Sequence, residues 1–443
     1  MQAQPVAMFQ LRNANDGSAQ PFMDLVESEV RRLARDGIPR DVLEASLAQM
    51  SFDLRERDRG MADGVPLAMN ALAGWLYDDD MPTTYLRYED ALAHMRAGLE
   101  GRYFEDVLES LVCKSDHKAL VELVPEKTEG DSEEAAELAA KLAQMDEVDK
   151  QEIRDEMAAL RVMQESPDAP EAVETLPRLR VSDIGPASPD PEMQVFAEGP
   201  IACLFHNVPT RKISYLYLYF GIDDLAWEDV PYLSVLGMLL SRLDTERHTA
   251  AELDVLMRLH LGSLRFFADA FVDDADPSDP LKMTVATSAL SEELEQMARI
   301  PVFGEAPRVD DSDKIRDILV QRRIAMEQSF ANKGHVRAMN RPPRAISGGP
   351  PKEAGGGVDF YRFLCDLIDN FDERFDALQS RLRDVCSRVF TKRDVVASFT
   401  GSKADREIFF HMAGDFGLPG EARIFDGKPS TPAFGEKIPE PVM

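Results

Sequence analysis

The chain has 443 residues, room for about three domains, and its 44% hydrophobic and 29% charged residues suit a globular protein with sizeable cores. Eighty Asp and Glu against 50 Lys and Arg leave a net charge of −30, which repels phosphate backbones and anionic membrane surfaces, so neither nucleic acid nor membrane is expected as a partner. The same field attracts basic peptides, although a solvated, soluble surface explains the charge equally simply.

The opening MQAQPVAMFQLRNAN has no basic n-region followed by an apolar h-region and is not Arg- and Ser-rich, so it reads neither as a signal peptide nor as a transit peptide. Val6 to Leu11 predicts a short strand. Phe22, Val26, Val30 and Leu33 then recur at helical spacing, and Gly37 ends that helix. Pro39 opens a second helix with the stripe Leu43, Leu47, Met50 and Leu54. Further helices are predicted over Leu67–Tyr77, Tyr88–Leu99 and Tyr103–Leu111, and a strand over Ala119–Val124.

Composition shifts at Pro125. Between Glu126 and Leu160 there are 12 acidic and 4 basic residues and no aromatic one. Leu138, Leu142 and Met145 form one apolar ridge, and Ile153, Met157 and Leu160 another. A charged two-helix hairpin on a surface, or bridging two domains, fits this pattern. Pro167, Pro170 and Pro177 end it, and the loop Gly185–Pro191 marks a boundary.

Beyond Pro191 the period changes from 3.6 to 2. Pro200–His206 and Ile213–Ile222 predict strands joined by the turn Asn207–Lys212, and the second strand alternates aromatic and aliphatic side chains. Helices are expected over Val230–Leu243 and Ala250–Leu261, then strands over Ser263–Val272 and Leu281–Ser288, and a helix over Asp313–Phe330. Pro342–Gly357, rich in Gly and Pro, is a loop. One long helix is predicted over Phe360–Val389, and Asp394–Thr400 returns to a strand. Strand pairs alternating with helices over some 240 residues argue for an α+β layer.

Chemistry is sparse. The seven histidines (His94, His117, His206, His248, His260, His335 and His411) include no two that are three or four residues apart, the spacing a helical zinc site needs. There is no G-x-S-x-G elbow, no P-loop and no G-x-G-x-x-G. Cys203 and His206 would point to opposite faces of a strand. The four cysteines (Cys113, Cys203, Cys365 and Cys386) lack C-x-x-C spacing, and three of them lie in apolar surroundings, which favours a reducing compartment. The carboxylate pairs Asp223–Asp224 and Asp273–Asp274 suit turns and caps better than acid–base work. No catalytic, cofactor-binding or metal-ligating residue is therefore assigned.

Several runs nevertheless resemble, in order, one family. NVPTRKISYLYLYFGIDDLAWEDVPYLSVLGMLLSRLDT (207–245) resembles the start of the third repeat of presequence proteases, in the pitrilysin/insulinase class of zinc metallopeptidases. SFDLRERDRG and ALAGWLYDDD resemble helices of the second repeat, with Ser51 where a Glu is usual. LPRLRVSDI resembles the exit of that family's helical hairpin, KGHVRAM and GGGVDFYRFLCDLIDNFDERF the later third repeat, and FGEKIPEP the start of the fourth. Leu261-Gly-Ser replaces paired glycines, and the helix after Leu290 is shortened.

The resemblance implies pitrilysin-like α+β repeats: the C-terminal part of a second repeat at 1–124, an acidic hairpin linker at 125–185, a third, non-catalytic repeat at 186–425, and the start of a fourth at 426–443. It implies a non-catalytic portion of a zinc metalloendopeptidase that degrades unfolded peptides, forming chamber wall and hinge. The alternative is a freestanding subunit that binds peptides or complements a catalytic half. Zinc belongs to the first repeat through H-x-x-E-H and a downstream Glu, none of which maps to a residue here. The partners implied are unfolded peptides, basic ones among them, and the zinc-bearing repeat, in cis or as a separate chain. The chain reads as a soluble intracellular fragment, from the mitochondrial matrix or another organelle if eukaryotic and from the cytoplasm if bacterial.

Overall fold

The computed structural model describes all residues except 1–5, 13, 58–62, 125–131, 177, 179, 186–191, 198, 200, 223–224, 271–280, 301–305, 341–356 and 423–443. The loops expected around 186–191 and 342–356, the acidic pairs Asp223–Asp224 and Asp273–Asp274, and most of the proline-rich tail fall outside them. The chain divides into two compact units, one of Met1–Met8, Ser28–Lys114 and Pro191–Met443, the other of Phe9–Glu27 and Ser115–Asp190. Helix α1 (Ala19–Asp36) runs across the division.

The first unit is α+β. Its sheet has six strands: β1 (Met193–Phe196), β2 (Ala202–Asn207), β3 (Ile213–Gly221), β4 (Ser263–Ala270), β5 (Leu281–Leu290) and β6 (Val395–Gly401). They lie in the order β1-β2-β6-β3-β5-β4, with β2 and β6 parallel and every other pair antiparallel. The parallel pair arises because β6, after β3, β4, β5 and the helices that follow them, returns to lie between β2 and β3.

The period-2 pattern of β3 sets the core. Leu216, Leu218 and Phe220 are fully buried on one face, with Phe205, Met283, Val285, Ala397 and Phe399 alongside. Helices cover that face: α9 (Val230–Leu239), α10 (Ala250–His260), α11 (Leu294–Arg299), α12 (Ser312–Asn340), α13 (Val358–Asp369), α14 (Phe371–Val389) and α15 (Lys403–Ala413). The rings of Phe399 and Phe409 meet at 5.6 Å, and those of Phe220 and Phe390 at 5.0 Å. Burying such rings stabilises by roughly 2–3 kcal/mol each.

The remaining helices of this unit are α2 (Arg40–Glu56), α3 (Gly64–Trp75), α4 (Glu89–Gly98) and α5 (Tyr103–Val112). Leu47 and Phe52 of α2 are buried, and α2 packs on α10. The carboxylate of Glu105 ties α5 to the α1–α2 connection by accepting the Ile38 N–H at 3.0 Å.

The second unit holds α6 (Ser132–Gln144), α7 (Glu147–Glu165) and α8 (Pro170–Glu174). Asp146 starts α7 with a reciprocal capping box, accepting from Val148 and Asp149 while the Asp149 side chain accepts the Asp146 N–H. The ridge residues Leu138, Leu142, Ile153, Met157 and Leu160 are 39–57% exposed, and Met145 is half-buried.

The expected elements need several amendments, and the helices α8 and α15 are additions to them. Val6–Leu11 and Ala119–Val124 are not strands: neither has a ladder partner among the described residues, and Val121 and Leu123 are strongly exposed. A β-patterned segment without a neighbouring strand leaves its backbone groups to water. The long helix over 360–389 is two helices, because Asn370 leaves helical geometry (φ −114°, ψ 27°) and its side chain donates to the Asp366 carbonyl at 2.9 Å. The helix from Ser312 continues past Phe330 to Asn340, with a kink at Lys333. The four-residue edge strand β1 is not foreseen in the sequence, although MQVF carries the signal in its alternation.

Candidate functional site

The histidines do not converge. His94 stacks edge-on against Tyr103 at 5.1 Å, and His260 Nδ1 lies 2.7 Å from a carboxylate oxygen of Glu293. His206 sits on β2, with His335 and His411 on helices elsewhere. Among the described residues, no group of three or more His, Cys, Asp or Glu side chains could hold a metal ion. Among the described residues the donor set therefore does not fit zinc. Cys203 and His206 do face opposite ways on β2: Cys203 is buried and His206 half-buried. Burial pushes the Cys203 and Cys386 thiols up to about 11, so both stay protonated and unreactive at neutral pH.

Buried polar residues act in structural clamps. Asp229, 2% exposed at the start of α9, receives Arg381 Nε at 2.6 Å and Arg388 Nη1 at 3.4 Å, joining α9 to α14. Asp405 near the start of α15 accepts from Ser291 at 2.9 Å and Ser214 at 3.4 Å, tying the helix to β3 and the end of β5. Sequence reasoning missed both clamps, since their partners are more than 100 positions apart.

A seam cavity of about 280 Å³ opens where α2 and α4 meet α10 and the strand ends. Leu47, Ala48, Phe52 and Leu261 form its apolar wall, and Arg96, Arg258, Glu44 and Glu293 its rim. The charges are mixed, and Arg258 is engaged with Ser46 and Asp254. Gly262 is required here because a Cβ at that position would lie 1.9 Å from Phe52 Cζ. The cavity has the character of a packing defect at a joint.

A further candidate surface is the sheet face opposite the helices. Tyr215, Tyr217 and Tyr219 run down its centre on β3. The Tyr217 and Tyr219 rings stack at 6.1 Å with an interplanar angle of 14°, and burial together with the neighbouring Tyr217 raises the Tyr219 hydroxyl above its ordinary value. The strand register sets Thr400, Ser398 and Val396 on one side of this row and Ser288, Ala286 and Thr284 on the other. Period-2 alternation makes such a face inevitable once Leu216, Leu218 and Phe220 enter the core.

The family model for the domain associated with M16 peptidases of subfamily C matches residues 125–367. Protein HypA of Clostridium perfringens is 27% identical over 411 residues, 90% of this chain and 41% of that protein. Presequence protease 1, chloroplastic/mitochondrial, of Arabidopsis thaliana is 24% identical over 407 residues, again 90% of this chain and 38% of the relative. The chain thus spans about two fifths of the length of the curated relatives it matches. Among solved structures, the peptidase M16 inactive domain from Pseudomonas fluorescens aligns with 52% of this chain and 52% of its own at a TM-score of 0.35 and 15% identity. Among the described residues, no helix is long and apolar enough to cross a membrane.

Proposed function

The chain belongs to the family of domains associated with subfamily C of the M16 peptidases, and from that membership we propose that it is a non-catalytic portion of a presequence-protease-like zinc metalloendopeptidase. The observation that carries this reading is the collinear match over 90% of the chain to a presequence protease. In this reading the six-stranded unit forms part of the wall of a chamber for unfolded peptides, and the acidic helices α6 and α7 serve as the hinge. The chain supplies no catalytic residue. Zinc, when bound in the complete enzyme, supplies a polarising Lewis acid and an activated water from a different repeat. This chain's own residues hold and orient peptide. A net charge of −30 draws basic segments towards it.

A second reading, a freestanding subunit that complements a separate catalytic half, is favoured by α3. Its apolar side chains Val65, Met69, Leu72 and Trp75 are 42–59% exposed, a patch that calls for a covering partner.

The test is made on the purified chain, alone and mixed with a separately expressed segment of a relative that carries H-x-x-E-H. The chain alone is expected to bind no stoichiometric zinc and to leave unstructured peptides intact, with chelator-sensitive cleavage in the mixture only. Chelator-sensitive cleavage by the chain alone, with one zinc bound, would refute the proposal.

A further inference from the structure

The sheet face opposite the helices carries an inference about which peptide segments this unit holds; it rests on the chamber-wall reading above. The strand register assigns this face without ambiguity. It comprises Met193 and Val195 on β1, Leu204 and His206 on β2, and Val396, Ser398 and Thr400 on β6. Tyr215, Tyr217 and Tyr219 follow on β3, then Lys282, Thr284, Ala286 and Ser288 on β5, and Ser263, Arg265, Phe267 and Asp269 on β4. The ring contacts that tie helices to strands, Phe399–Phe409 and Phe220–Phe390, lie on the other face.

Three observations bear on an occupant. The first is charge. In a chain with 80 acidic and 50 basic residues, the strand residues of this face include Arg265, Lys282 and His206 and a single acidic residue, Asp269, which stands opposite Lys282 at one end. The face is therefore neutral to basic on a strongly acidic molecule. The second is surface chemistry. Half-buried Tyr215, Tyr217 and Tyr219 are flanked on the β6 side by the half-buried hydroxyls of Ser398 and Thr400, while Thr284, Ala286 and Ser288 on β5 are buried. The aromatic row with one polar edge suits adaptable contact with many side chains at little entropic cost. The third is the edge. β4 is the terminal strand of the sheet, eight residues long, and its outward main-chain groups have no strand partner among the described residues. Such an edge pairs with extended chain.

We infer that the Tyr215–Tyr217–Tyr219 row and the β4 edge bind extended segments of unfolded polypeptide that are rich in apolar side chains and neutral to acidic. The overall acidic field gathers basic peptides at long range, whereas this face holds the stretches between their basic residues. Salt separates the two effects, since screening weakens the long-range field and leaves close apolar contact.

The experiment measures anisotropy of two labelled unstructured peptides with the full chain. Both have the same apolar residues, and their remaining positions are Glu in one and Lys in the other. At high salt the Glu peptide is expected to bind more tightly. Tyr217→Ser should weaken both peptides about five- to tenfold, the worth of one lost aromatic contact, and Tyr217→Phe should restore them. Arg265→Glu, at an exposed position, should erase or reverse the preference for Glu. Met69→Ser on α3 should change nothing. Binding that ignores Tyr217 and Arg265 but falls with Met69→Ser would overturn this inference and leave the chamber-wall reading standing. Failure of both peptides to bind would overturn both.

Discussion

Placing a methyl group at Gly262 tests how the helices α2–α5 are joined to the six-stranded sheet. A Cβ there would lie 1.9, 2.0 and 2.2 Å from three carbons of the Phe52 ring. Ordinary carbon–carbon contact is about 3.5–4.0 Å, so the ring must move by roughly 1.5 Å or more. The backbone cannot retreat instead: the Gly262 N–H donates to Ser288 O at 2.8 Å, and its carbonyl accepts from Gln49 at 3.2 Å. Phe52 is 2% exposed, so displacing it sacrifices a buried phenyl group. Complete loss of that packing would cost about 3–5 kcal/mol. The neighbouring seam cavity gives the ring somewhere to swing, which brings the cost nearer to overpacking, about 2 kcal/mol. Gly262→Ala is therefore expected to lower stability by about 2 kcal/mol in urea unfolding followed by circular dichroism. In a Phe52→Ala background the same substitution should cost almost nothing, giving a coupling of about 2 kcal/mol between the two sites. Additive effects, or a neutral Gly262→Ala, would refute this account of the joint.

Three other outcomes follow from the same structure. Asp229→Asn removes the carboxylate that pairs with Arg381 and Arg388; because both arginines remain partly solvated, the expected loss is about 2–3 kcal/mol, and an unchanged urea midpoint would contradict it. Glu105 accepts the Ile38 N–H, and that bond holds its pKa below the ordinary 4.5. Its contribution is thus present above that value and lost as pH falls through the lower folded value, so Glu105→Gln should cost about 1 kcal/mol at neutral pH and lose this part of the acid dependence in a pH series of melts. Cys203 and Cys386, with thiols at about 11, should resist iodoacetamide at pH 8 in the folded chain and react after denaturation; mass spectrometry of the native protein showing either one fully alkylated would count against their burial.

Much of the sheet unit was legible because the signals are local. ISYLYLYFG alternates strictly, and β3 spans the segment so patterned. Thr249 and Glu252 start α10 with a capping box, and Leu261-Gly262 ends it at the predicted place. The break at Asn370 was hidden because the apolar spacing runs through it: Leu367, Phe371 and Leu378 are all buried on the same side. Val6–Leu11 and Ala119–Val124 misled for the opposite reason. Their local pattern is β-like, but a strand exists only where another strand accepts its hydrogen bonds.

The sequence by itself determined the α+β class, the central strands β2 to β6 and most of the helices of the sheet unit, the acidic surface and, through motif order, the family. Those follow from residue spacing and composition, which act within a few turns of chain. Only the tertiary structure decided that β2 and β6 run side by side. It alone brought Arg381 to Asp229 and Phe52 to Gly262, and turned the tyrosines away from the helices. Each joins residues separated by many turns of chain, so strand register and side-chain shape set it, and periodicity carries no information about it.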